Sequence, residues 1–267
     1  MESPLHITRD GAVMVLTLNH PPVNAFTHNL TMALQKALGQ AGRDRTVRAV
    51  LLNAAHRAFS AGQDLTELQA VEGESLRAHL QQTYNPLILQ LRRLEKPVIA
   101  ALHGAVAGAA LGVALACDLR LAAEGTRFLV GFSGIGLAPD SGVSLLLPLM
   151  MGFGRATEYA ITNRPFTAEE ALAWGVVNRV VPADRLQETA LAWAQELAAG
   201  PLTALGLTKR ALNRALMPHL EAVVDYEAHI QDIAGKTAEH REGVQAFLEK
   251  RPPNYGVGEG RGGSGGA

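Results

Sequence analysis

VIAALHGAVAGAALGVALAC, residues 98–117, decides the fold, and His103 is its only strongly polar side chain. At about 1.5 Å per residue a stretch this long could cross a bilayer as one helix. Its wealth of Ala and Gly, and the break at His103-Gly104, read instead as a buried strand over residues 98–102 that hands over to a buried helix over residues 107–116. FSAGQD, residues 59–64, is a second small-residue segment. Side chains this small let a ligand reach the backbone, and N–H groups from two such loops can hold a developing negative charge on a carbonyl oxygen. The pair points to acyl chemistry.

Outward from these segments the chain alternates strands and helices. Residues 13–19 alternate in polarity and stop at Pro21-Pro22, as a strand does. Thr27 stands where a helix cap belongs, and Leu30, Ala33, Leu34, Ala37, Leu38 and Ala41 recur at helical spacing before a short apolar run over residues 47–52. Leu76, Leu80, Tyr84, Leu87, Ile88, Leu91 and Leu94 predict one long amphipathic helix that ends before Pro97. Residues 119–123 and 176–181 read as strands, and TAEE, residues 167–170, as a capping box. From residue 184 to residue 250 the pattern is helical, with breaks at Gly200-Pro201 and Pro218. We therefore expect an α/β core over residues 1–199, a helical region over residues 200–255 and a flexible Gly-rich tail over residues 256–267.

With 48% hydrophobic residues the 267-residue chain can bury a core without staples. Its 24 basic and 25 acidic residues form no long run of either sign, so neither nucleic acid nor an anionic membrane is an expected partner. The single cysteine, Cys117, excludes an intrachain disulfide framework and reads as a small buried hydrophobe. The first residues, MESPLH, carry neither signal-peptide nor transit-peptide character, which favours a cytoplasmic location.

Five segments in order resemble the crotonase superfamily, also called the enoyl-CoA hydratase/isomerase family. They are FSAGQDL at 59–65, HGAVAG at 103–108 running into Cys117-Asp118, PDSG at 139–142, FTAEEALAWGVVN at 166–178 and REGVQAFLEKR at 241–251. The resemblance implies a spiral of β-β-α units with a helical C-terminal part that assembles as a homotrimer or a dimer of trimers. It implies acyl-CoA thioester substrates and no cofactor or metal beyond the substrate's own coenzyme A. The N–H groups of Gln63 and Ala109 are the implied oxyanion donors, set by Gly62 and Gly108. Val23, Asn24, Ala25, Ala61 and Leu65 are implied along the coenzyme, with Phe247 and Lys250 reaching a nucleotide bound to a neighbouring subunit.

The acid–base groups select the reaction. Hydratases of this family use two glutamates, and the matching positions here hold Gly112 and Phe132. Asp140 remains, and local sequence alone reads it as a helix N-cap. The resemblance gives it a second role, because the phenylacetate-pathway isomerases that act on ring-epoxidised phenylacetyl-CoA carry Pro-Asp at this point as their only acid–base residue. Tyr84-Asn-Pro-Leu87 and Phe132-Ser133 fit the same subgroup. The expected reaction is isomerisation of an acyl-CoA, with Asp140 as single acid and base. The alternatives are a hydratase or other family lyase with a second acid, for which Glu124 and Glu158 are candidates, and a CoA-binding protein without catalysis.

Asp64 is expected to hold its loop by accepting backbone hydrogen bonds, His103 to be structural and Trp174 to pack. Val143 and Ser144, where the family usually has Gly and Thr, predict a bulkier pocket wall. Burial should raise the Asp140 pKa and a nearby helix N-terminus should lower it.

Overall fold

The computed structural model describes residues 3–70 and 75–256. The chain opens with β1 (Leu5–Asp10), β2 (Val13–Leu18), α1 (His28–Arg43) and β3 (Ala49–Ala54), followed by α2 (Leu65–Ala70), α3 (Leu76–Gln82) and α4 (Tyr84–Arg93). Next come β4 (Val98–Leu102), β5 (Ala105–Ala107), α5 (Ala109–Ala116), β6 (Leu119–Ala123) and β7 (Arg127–Leu129). Then follow α6 (Val143–Met151), α7 (Phe153–Thr162), β8 (Phe166–Thr167), α8 (Ala168–Ala173) and β9 (Arg179–Val181). Four helices complete it: α9 (Leu186–Ala199), α10 (Leu202–Leu216), α11 (Leu220–Ala234) and α12 (Ala238–Leu248).

Two sheets share the work of the spiral. The larger has the order β1-β2-β3-β4-β6-β9 and the smaller β5-β7-β8. Each of two successive turns lays one strand in the larger sheet and one in the smaller, β4 with β5 and then β6 with β7. Alternation along the strands divides the core. Leu16, Val50, Leu52, Ala100 and Leu102 face α1, α4 and α5, while Leu51, Ile99, Ala101 and Leu121 face the small side chains Ala190, Ala194 and Ala198 of α9. Leu220, Val224 and Ala228 of α11 belong to the same core as α5.

Thr27 caps α1 by accepting from the Leu30 N–H, and Thr167 and Glu170 form a reciprocal capping box. Every residue of α5 is buried, as its uniform smallness requires. The differences from expectation have local causes. The helix expected over residues 76–94 is two helices, because Pro86 has no N–H to offer the turn before it and the chain breaks at Thr83. β1 went unread because only Leu5 of its six residues is buried. The smaller sheet's strands, of two or three residues, are too short to show a period. The strand expected from residue 176 begins at Arg179, and a further helix break at residues 235–237 separates α11 from α12. Of the expected Gly-rich tail, residues 257–267 lie outside the described residues. No helix among the described residues is long and apolar enough to cross a membrane.

Candidate active site

The two small-residue segments run side by side. The N–H groups of Phe59 and Ser60 donate to the carbonyls of His103 (2.7 Å) and Ala105 (3.1 Å), and the Ala107 N–H donates to Ser60 O at 3.2 Å. Gly62 then meets the second loop backbone to backbone: at its φ of +93°, an added Cβ would stand 2.9 Å from Ala107 O and 3.7 Å from Gly108 Cα. Only glycine permits this approach.

Two donors are left over at this contact. Phe26 pairs with both neighbours of Gln63, donating to Gly62 O (2.7 Å) and accepting from the Asp64 N–H (2.9 Å), so the Gln63 N–H turns to the other side. The Ala109 N–H begins α5, where no intrahelical acceptor exists. Among the described residues neither N–H donates to a protein acceptor. Both residues line a cavity of about 410 Å³, together with Val23, Ala25, Ala61, Leu65, Gly108, Phe132 and Asp140. Tyr84, itself buried, fixes the Gln63 side chain by donating to its Oε1 at 2.6 Å. Burial, reinforced by the negative charge of Asp140, pushes the Tyr84 hydroxyl well above the usual phenol range, so it stays a neutral donor.

The Asp140 carboxylate lines this cavity and does not cap a helix. α6 begins at Val143, whose N–H donates to the Asp140 backbone carbonyl at 3.0 Å, and the N–H groups on either side are taken by Glu227 of α11, which accepts from Gly142 N–H (2.8 Å), Ser144 N–H (3.0 Å) and the Ser144 hydroxyl. Asp140 is instead held by two neutral donors, Ser141 Oγ on Oδ1 (2.6 Å) and Gln231 Nε2 on Oδ2 (2.7 Å). Ser141 adopts a φ of +56°, uncommon for a residue with a side chain, and Gly142 follows at +77°; this bend redirects the chain between Asp140 and α6. Burial lifts the Asp140 carboxyl to about 6, against the lowering effect of those two hydrogen bonds. Burial likewise lifts Glu227 to about 7, although its three donors favour the ionised form. Two carboxylates line the cavity among the described residues, Asp140 and Asp64. Asp64 Oδ1 accepts from the Thr66 (2.9 Å) and Glu67 (3.2 Å) N–H groups, holding its loop as expected.

The expectations for Asn24, Val143 and Ser144 need correction. Asn24 does not line the cavity; it is fully buried at a φ of +51°, its amide donating to the Ala55 and Ala58 carbonyls and accepting from the His20 N–H. Its polar atoms are consumed in holding the loop that presents Val23 and Ala25. Phe247 lines the cavity of its own chain, and Lys250 is exposed outside that lining. Val143 lies in the core and Ser144 is engaged by Glu227, so neither forms a pocket wall. Glu124 and Glu158 are exposed and outside the lining, Glu158 pairing with Arg164. His103 Nε2 meets His56 O at 3.1 Å, outside the cavity lining, and Trp174 packs on Tyr159 and Phe166. Gln231 and Glu227 were not anticipated. Their one sequence signal is a pair of polar residues four apart on the face that also carries the buried Val224 and Ala228.

The chain is similar to known proteins along most of its length. The family model described as enoyl-CoA hydratase/isomerase matches residues 8–258. The chain is 40% identical over 250 residues to a 1,2-epoxyphenylacetyl-CoA isomerase of Escherichia coli K12, covering 92% of this chain and 95% of that one. It is also 40% identical, over 246 residues, to a probable enoyl-CoA hydratase of Rhodobacter capsulatus, covering 90% and 93%. The crystal structure of an enoyl-CoA hydratase from Mycobacterium avium subsp. paratuberculosis superposes with a TM-score of 0.86 at 32% identity, covering 94% of this chain and 98% of that one.

Proposed function

The chain belongs to the enoyl-CoA hydratase/isomerase family, the crotonase superfamily, and within it we propose an acyl-CoA isomerase that works through a thioester enolate with Asp140 as its single acid and base. The observation that carries this reading is the Asp140 carboxyl. It is buried on the cavity that Gln63 and Ala109 line, whereas the other carboxylate among the described lining residues, Asp64, accepts from the Thr66 and Glu67 N–H groups of its own loop.

The thioester carbonyl oxygen accepts from the two N–H groups, and the Asp140 carboxylate removes a proton from the α-carbon. The electron pair of that C–H bond moves into the enolate, whose negative oxygen the two donors stabilise; one such donor is typically worth about 3 kcal/mol in the transition state. The protonated Asp140 then returns the proton to the γ-carbon. The double bond has moved by one position and the carboxylate is regenerated, so one group suffices. Coenzyme A enters as part of the substrate, and no separate cofactor is required. The 40% identity to an epoxyphenylacetyl-CoA isomerase supports a ring-epoxide substrate within the same enolate chemistry.

Hydration needs a second group to activate water, and the two positions for it hold Gly112 and Phe132. Turnover of a 3-enoyl-CoA beside a 2-enoyl-CoA tests the assignment. We expect double-bond migration from the first and no water addition to the second.

A further inference from the structure

α11 grips the segment that carries Asp140 with two side chains one helical turn apart. Glu227 takes the N–H groups of Gly142 and Ser144 just after it, and Gln231 takes Asp140 itself. The Gln231 amide is fixed by its other end: its Oε1 accepts from the Ala138 N–H at 3.3 Å. A backbone N–H can only donate, so the amide oxygen faces Ala138 and the NH₂ group must face the Asp140 Oδ2, 2.7 Å away. Gln231 is 1% exposed and lines the cavity, which leaves its orientation no freedom.

We propose that Gln231 is the positioning residue for Asp140, holding its carboxylate toward the cavity and favouring its ionised form. The proposal rests on the isomerase reading only where turnover is measured. An amide NH₂ donates to a carboxylate but cannot accept from a carboxylic acid, so its hydrogen bond opposes the burial that would neutralise Asp140. Its second bond, to Ala138, ties the same amide to the chain two residues before Asp140, while Glu227 restrains the chain two to four residues after it. A carboxylate so framed keeps a free lone pair for the substrate in a fixed direction, which proton transfer between two carbons requires.

The titratable groups around this carboxyl are few. Glu227 lies on α11 with Gln231 and Tyr84 on α4, while His79 of α3, Asp64 of the first loop and His20 share the cavity. No Lys or Arg is among the described residues that line it. Gln231 and Ser141 therefore supply the donor contacts that keep Asp140 ionisable near neutrality.

The experiment is a carboxyl ¹³C NMR titration of aspartate-labelled protein, with the Asp140 resonance identified by its loss in Asp140→Asn. It compares wild type, Gln231→Met, which keeps the volume and removes the donor, and Gln231→Leu, which removes the donor with a different side-chain shape. Both variants should move the Asp140 titration up by about one pH unit, and kcat for a 3-enoyl-CoA should fall about 10- to 100-fold with KM little changed. An Asp140 titration that stays at its wild-type position in a folded variant overturns the proposal. Should Gln231→Met fail to fold, Gln231→Leu alone decides. A wild-type protein that leaves the 3-enoyl-CoA unchanged removes the isomerase reading, while the upward titration shift in the variants would still support the positioning role.

Discussion

A Cβ added to Gly112 would stand 2.4 Å from the carbonyl oxygen of Ser141 and 2.6 Å from its Cβ. α5 is thus pressed directly against the bend that presents Asp140. Gly112, at the position where the family resemblance puts the hydratases' first glutamate, cannot gain a side chain without displacing that bend. Gly112 thus bears on Asp140 through the neighbouring Ser141.

Gly112→Ala should therefore destabilise the protein by about 1–3 kcal/mol, as overpacking a core does, and should depress isomerisation more than a remote substitution of equal cost. Thermal unfolding together with 3-enoyl-CoA turnover measures both effects. Gly112→Glu should not create a hydratase, because the new side chain would expel Ser141 from its place.

Gly62→Ala probes the oxyanion site. The added methyl would sit 2.9 Å from Ala107 O at a φ of +93°, so the two loops must separate and carry the Gln63 N–H away from that of Ala109. Loss of one donor predicts a fall in kcat of about 10²- to 10³-fold. Steady-state kinetics checks it.

The raised Asp140 pKa gives signs for both rate and stability. The base must be ionised to act, so kcat/KM should rise with pH up to about 6 and level off above it. For stability the folded carboxyl, at about 6, lies above its ordinary 3.8, so folding favours the protonated form. That contribution is complete below the unfolded value and is lost as pH rises through 6. Asp140→Asn should accordingly gain stability relative to wild type between pH 4 and pH 8, by up to about 3 kcal/mol, measured by denaturant unfolding at the two pH values.

Asp118 ties α10 to α4 and β4. It accepts from Arg92 (3.1 Å), from the buried Lys209 of α10 (2.8 Å) and from the Val98 N–H (2.9 Å). Asp118→Ala leaves the Lys209 cation buried without its partner, for a loss of about 3–5 kcal/mol. A drop in the denaturant midpoint reads it out.

What the sequence made legible was what repeats or what excludes. The periodicity of α1, the uniform smallness of residues 98–117 and the capping box at Thr167 each follow from local rules, and each appears as expected. Gly62 and Gly108 pointed to close backbone approach because small side chains have few other uses in such loops. Contacts across the fold were not legible. Nothing near Asp140 in sequence says that its helix cap comes from Glu227, 87 residues later, or that Gln231 supplies its second donor. Asn24 shows the reverse failure: its place beside the cavity-lining Val23 and Ala25 hides that its own amide turns inward to bind backbone carbonyls.

The most direct measurement follows a 3-enoyl-CoA and a 2-enoyl-CoA in deuterated water with wild type and Asp140→Asn. Double-bond migration by the wild type, its abolition in Asp140→Asn and no hydrated product from either protein are expected. Water addition that survives Asp140→Asn would overturn the single-carboxylate mechanism.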